Sequence, residues 1–206
     1  MRFEAFDFST ADLLGERLCL DFVNSVGTHS APNDPYVKTY ADLVSWSHFV
    51  GIVDDAEAQR LLDSAARQSD SADAVLHKAL VVREAMYEIF AHSAAKQNPQ
   101  TRDIDILNEA IAEAREHMRL VPTERGFDWT WVDMAGRLDH MLWPVTWSAA
   151  ELLLSGDVNH LRECAATDCG WLFLDTSRNH SRRWCDMKTC GNRAKARRHY
   201  ERRRGE

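Results

Sequence analysis

The stretch CAATDCGWLFLDTSRNHSRRWCDMKTC, residues 164–190, decides how the C-terminal part of the chain folds. It sets four cysteines as Cys164-x4-Cys169-x15-Cys185-x4-Cys190. Two short pairs separated by a longer segment are the layout of a structural zinc site. Each pair fits one tight turn, so its two sulfurs can take two corners of a tetrahedron. The intervening segment folds back to join the pairs. Four thiolates leave no open position for water, so one Zn2+ here is structural, not catalytic. Four reduced cysteines in an apolar core are a poor alternative, because Asp168, Asp186, Lys188 and Thr189 lie inside the pairs. An iron–sulfur cluster is the lesser alternative. His160, His180 and His199 stand nearby and are read as surface histidines.

Charge separates this region from the rest. The 206-residue chain has a formal net charge of -7, yet residues 157–206 carry 12 Lys and Arg against 7 Asp and Glu. From Arg178 onward the excess is +8. An acidic body with a basic end points to a polyanion partner at that end only; a solvated charged helix is the competing reading. The bases are Arg178, Arg182, Arg183, Lys188, Arg193, Lys195, Arg197, Arg198, Arg202, Arg203 and Arg204. A zinc tetrathiolate carries a charge of about -2, so some of this charge serves the metal, and the remainder suits a phosphate backbone. Gly191 is expected to turn the backbone so that N–H groups face sulfur, with Asn192 capping a helix over 193–204. Ala196 and Tyr200 form the apolar strip expected to dock that helix on the zinc module. Between the pairs, Leu172 to Leu174 read as a short strand. Trp171 and Trp184 read as the small core over the metal, in preference to a base-stacking role.

The fold expected is α+β: a mainly helical N-terminal domain with a small β-sheet, over 1–156, then a small four-cysteine zinc-finger module ending in a basic helix, over 157–206. RLCLDFVNSV (17–26) alternates Leu18, Leu20 and Phe22 with Cys19, Asp21 and Val23, the period of a buried strand, and GTHSAPNDPY (27–36) reads as a loop. Helices follow over 40–50, from the acids at 54–55, over 71–95 with Val75, Leu76, Ala79, Val82, Met86, Ile89 and Phe90 on one face, and from an N-cap at Thr101. MRLVPTERGFDWTWV (118–132) reads as a hairpin turning near Gly126. Residues 135–154 read as a helix with Pro144 kinking it or in its first turn. Gly156 ends it, and Asp157 is expected to cap a short helix.

The residues after Cys185 resemble a known family. Cys190, Gly191, Asn192 and Arg193 spell the signature of the CGNR-type zinc finger, and FLDTSRNHSRRWC (173–185) is similar to what precedes the second pair in that family. The resemblance covers about residues 160–204. LCLDFVNSV (18–26), followed by ADLVSWSHFVGIV (41–53), resembles the ABATE domain that accompanies this finger, with Ser25 standing where Thr is expected. The resemblance implies a bacterial, stress-related transcription regulator whose finger binds DNA and whose N-terminal domain senses or regulates.

No catalytic motif stands out: the chain lacks GxSxG, HExxH, P-loop and GxGxxG patterns. Cys19 lies in an apolar run and reads as a core residue, and an enzyme is not expected. Asp21 and Asn24 are polar residues in a buried segment. They are candidates for holding a small ligand, against the competing reading that they bond to backbone of the following loop. Trp143 and Trp147 are read as core rather than as pocket walls. The leading functional reading is a zinc-dependent DNA-binding regulator, for which a homodimer would add specificity. RNA binding by the same tail is the second. The third is a small-molecule binder or enzyme with a purely structural zinc knob. The opening residues have no signal-peptide pattern and no apolar run could span a membrane, so the expected setting is cytoplasmic, without membrane contact.

Overall fold

A computed structural model describes residues 6–8, 13–29 and 35–204. Part of the loop expected over 27–36 therefore lies outside the described residues. The N-terminal region is mainly helical: α1 (Leu18–Val23), α2 (Tyr40–Phe49), α3 (Asp55–Arg67), α4 (Ser69–Ala94), α5 (Thr101–Glu116) and α6 (Leu142–Leu154). One hairpin, β1 (Met118–Thr123) with β2 (Gly126–Trp131), interrupts them. Its register runs from Met118 opposite Trp131 to Thr123 opposite Gly126. After a 3-10 turn come β3 (Leu161–Glu163), β4 (Leu172–Leu174), a π turn (Met187–Gly191) and α7 (Asn192–Arg204).

The expected strand at 18–23 is a helix. Cys19, Leu20, Phe22 and Val23 are all buried, and α1 lies among α4, α6 and β4. A helix wrapped on nearly every side needs no polar face, so it shows no 3.6-residue period. In six residues, the accident of Leu18, Leu20 and Phe22 then imitates strand alternation. Gly15 explains how the chain enters this helix. A Cβ there would stand 2.6 Å from Leu20 Cβ and 2.8 Å from the Asp21 nitrogen. Since backbone cannot step aside, Gly15→Ala is expected to destabilise the protein by about 1–3 kcal/mol, read as a lower denaturation midpoint in urea.

Caps account for several helix starts. Thr39 and Asp42 form a reciprocal capping box on α2, and the Asp54 side chain accepts from Glu57 N–H on α3. Other expected caps differ. Gln100, not Thr101, precedes α5, with no side-chain cap. The Ser155 side chain, not Asp157, caps the 3-10 turn at Gly156–His160. The helix expected from 135 begins at Leu142, because 135–141 form turns, and Pro144 sits in its first turn where no N–H is needed.

The main core gathers Phe22, Leu43, Trp46, Met86, Ile89, Phe90 and Leu107 with Leu142, Val145 and Leu152 of α6. It extends past residue 156: Leu161, Leu172 and Leu174 belong to it. Phe173, between the two leucines, faces the cysteines instead. Successive side chains of a strand point to opposite faces, so β4 is the wall between two cores.

Candidate metal centre and basic face

The four cysteines come from two loops flanking that wall. Cys164 follows β3 and Cys169 precedes β4; Cys185 precedes the π turn and Cys190 lies within it. All four are buried, and their sulfurs lie within 4.8 Å of one another. Sγ of Cys185 is 3.7 Å from Sγ of Cys169 and 3.7 Å from Sγ of Cys190. A disulfide would need about 2.05 Å. A tetrahedron with Zn–S bonds of about 2.3 Å has edges of about 3.8 Å. The two 3.7 Å spacings match those edges, and with all four sulfurs within 4.8 Å the donor set fits one tetrahedral Zn2+ with no site left for water.

The surroundings support thiolates. Backbone N–H of Cys185 donates to Sγ of Cys164 at 3.4 Å, and Nη2 of Arg193 lies 3.1 Å from Sγ of Cys190. Gly191 plays a different part from the one expected. Its N–H bonds to Asp186 O at 3.0 Å, and a Cβ on it would meet Met187 Sδ at 2.5 Å. The glycine thus admits the Met187 side chain. The Asp186 side chain, not Asn192, caps the turn by accepting from Thr189 N–H, and Asn192 Nδ2 donates to Lys188 O at 2.9 Å. Trp171 and Trp184 pack partly buried against the cysteine cluster with Leu14.

His160 and His180 are not in the cluster; they stack on each other with centroids 4.0 Å apart. The side chain of His199 lies outside the described residues. Cys19 is fully buried, and that burial pushes its thiol up to about 12.

The centre is joined to the helical domain by the segment after α1. The Asn24 side-chain amide donates to Leu172 O at 2.8 Å, and its Oδ1 accepts from Leu172 N–H at 3.0 Å. Trp171 Nε1 donates to Val26 O at 3.1 Å, and His29 N–H donates to Cys169 O at 2.9 Å. Asn24 therefore meets backbone of the metal module rather than of its own loop. Asp21 Oδ1 accepts from Gly15 N–H at 2.9 Å. Burial pushes the Asp21 carboxyl up to about 6, with Glu16 adding to the rise and the Gly15 N–H opposing it.

That shift has a sign that can be checked. An acid whose folded pKa exceeds its unfolded value favours the fold while protonated. The contribution is present below about pH 4 and is lost as pH rises through about 6. Asp21→Asn, which keeps the acceptor, is expected to stabilise by about 2 kcal/mol at pH 8 and by nothing below about pH 4. Urea denaturation at both pH values reads this difference.

The basic residues divide into three sets. Arg182, expected to meet nucleic acid, is a strut. Its guanidinium lies 4.5 Å over the Phe173 ring, its Nε donates to Trp184 O at 3.0 Å, its Nη2 reaches Cys185 O, and its Nη1 meets Glu16 Oε1 at 3.2 Å. Asp175, fully buried, accepts from Arg182 N–H at 2.9 Å and from Ser177. Burial alone would raise that carboxyl, but these bonds hold it below the usual range. Sequence reasoning named neither role; the signal available was one Asp seven residues before an Arg within the metal loop. Arg193 and Arg197 pair with Asp168. Arg178, Arg183, Lys188, Lys195, Arg198, Arg202, Arg203 and Arg204 are exposed, and none forms an ion pair among the described residues. The expected docking strip is not one: Ala196 is exposed and Tyr200 is 72% exposed. The side of α7 turned toward the module carries Arg193, Ala194, Arg197 and Arg198. Beyond Arg198 every described side chain is exposed, so the helix leaves the module with its charges in solvent.

Comparison with protein families agrees with this geometry. The ABATE family, described as "Putative stress-induced transcription regulator", matches residues 16–156. The CGNR zinc finger matches residues 160–203. The chain matches no curated protein. No helix among the described residues is long and apolar enough to cross a membrane.

Proposed function

The chain belongs to the ABATE family and carries the CGNR zinc finger, and we propose that its C-terminal module binds duplex DNA through the phosphate backbone. The observation that carries this reading is the set of eight exposed Arg and Lys residues that form no ion pair among the described residues, held on and beside a helix that starts two residues after a zinc ligand. Zinc fixes where the helix begins. The arginines then meet phosphates without first having to fold. The acidic remainder of the chain repels DNA and confines contact to this end.

Control belongs to the helical domain in this reading. Two features suit a sensing or dimerising role. A cleft of about 800 Å3 lies between α3 and the segment after β2, beside Arg60, Arg67, Trp131 and Arg137. One face of the hairpin exposes Leu120, Phe127 and Trp129.

The test is a salt titration of binding to random duplex DNA by the zinc-loaded protein. The logarithm of affinity is expected to fall linearly with the logarithm of salt, with a slope of about -0.9 per phosphate neutralised. Affinity that does not change with salt would sink the reading. A preference for RNA over duplex DNA at matched salt would move it to the RNA alternative.

A further inference from the structure

Two arginines of α7 converge on one carboxylate oxygen. Arg193 Nη1 lies 3.3 Å and Arg197 Nη2 3.9 Å from Oδ2 of Asp168. Arg197 Nη1 also reaches Thr167 Oγ1. The two arginines are one helical turn apart, so both can serve a single anion. Asp168 lies within the first cysteine pair, directly before Cys169, so the metal loop fixes its place.

The pair borders a cleft of about 310 Å3 between residues 165–168 and the first turns of α7. Arg183 and Arg198 form its other charged rim. Neither has a carboxylate partner among the described residues. Arg183 lies 5.4 Å over the Trp184 ring, and Arg198 Nε donates only to Ala194 O of its own helix, at 3.3 Å. Four guanidinium groups thus face one opening that holds a single internal anion.

We infer that this cleft is the seat of one DNA phosphodiester, and that Asp168 occupies it as an internal stand-in until DNA arrives. The inference rests on the DNA-binding reading and deepens it. Asp168 already holds Arg193 and Arg197 beside one anionic oxygen, which lowers the entropy cost of binding a phosphate there. Arg183 and Arg198 supply the charge that Asp168 does not neutralise. A phosphate oxygen entering between the four competes with the Asp168 carboxylate and displaces it. Asp168 therefore orders the site and also weakens it.

The experiment uses the full zinc-loaded chain, random duplex DNA and measured zinc content. Asp168→Asn is expected to bind at least about threefold more tightly at low salt, because the seated phosphate no longer has to displace a carboxylate. Glu201→Gln removes an acid from α7 outside the cleft and controls for overall charge. An Arg183→Ala/Arg198→Ala variant is expected to bind at least about tenfold more weakly, with a slope shallower by about 0.9, the value of one phosphate contact. It decides the matter if Asp168→Asn loses zinc. Equal effects of Asp168→Asn and Glu201→Gln, or an unchanged slope in the zinc-loaded Arg183→Ala/Arg198→Ala variant, would overturn the seat while leaving DNA binding intact. No DNA binding by the unaltered protein at low salt would overturn both.

Discussion

Removal of zinc is expected to unfold the C-terminal module and to destabilise the helical domain with it. Apparent binding energies of structural zinc in small fingers are about 10–16 kcal/mol near neutral pH. The core over the cysteines is small: among the described residues it holds the four thiols with Ala166, Phe173 and three half-buried neighbours. Such a core cannot hold 165–190 together by apolar burial alone. The loss should spread because β4 serves both cores, with Leu172 and Leu174 on the helical side and Phe173 on the metal side. Chelator is therefore expected to abolish the near-ultraviolet signal of Trp171 and Trp184 and to lower the midpoint of the helical transition in the same sample. Cys185→Ser, which removes a sulfur 3.7 Å from two others, should reproduce both effects without chelator. An unchanged helical transition after complete zinc loss would show that β4 does not couple the two parts.

The second large effect belongs to Asn24. Its side chain presents one donor and one acceptor to the Leu172 peptide, at 2.8 and 3.0 Å. On its other edge, β4 pairs with β3. The Asn24 amide thus acts as a single residue of a neighbouring strand on the open edge of β4. Both Asn24 and Leu172 are buried. Asn24→Ala strands a peptide N–H and a C=O away from water, at about 1–3 kcal/mol each when unpaired. The expected loss is about 3 kcal/mol or more in urea denaturation, with zinc still bound. Asn24→Asp keeps an acceptor, loses the donor and buries a charge, so it should be at least as damaging at neutral pH. A loss below about 0.5 kcal/mol for Asn24→Ala would show that the bridge contributes nothing.

The parts legible in the sequence were those whose chemistry leaves a local pattern. Four cysteines at regular spacing name a tetrahedral site because few other arrangements use thiols that way. The α4 face was legible because a 26-residue helix, buried on one side, repeats its apolar period many times. The hairpin was legible from a glycine between two apolar runs. What was illegible depended on distant partners. α1 is surrounded, so its pattern carries no period. Asn24 is a bridge only because Leu172, 148 residues later, comes beside it. Arg182 looked like any other base of the tail, yet Phe173 and Glu16 make it part of the framework. Ala196 and Tyr200 looked like a docking strip because a helical wheel assumes a neighbour along the whole helix. α7 has one only over its first turns.

In the proposed function, zinc orders a basic surface that binds phosphate. The most direct measurement compares duplex DNA binding by zinc-loaded protein, chelator-treated protein and treated protein resupplied with zinc, at one low salt concentration. Binding, then loss of at least about tenfold in affinity, then recovery is expected. Equal affinity with and without zinc would contradict it, because the charges alone, unordered, would then suffice.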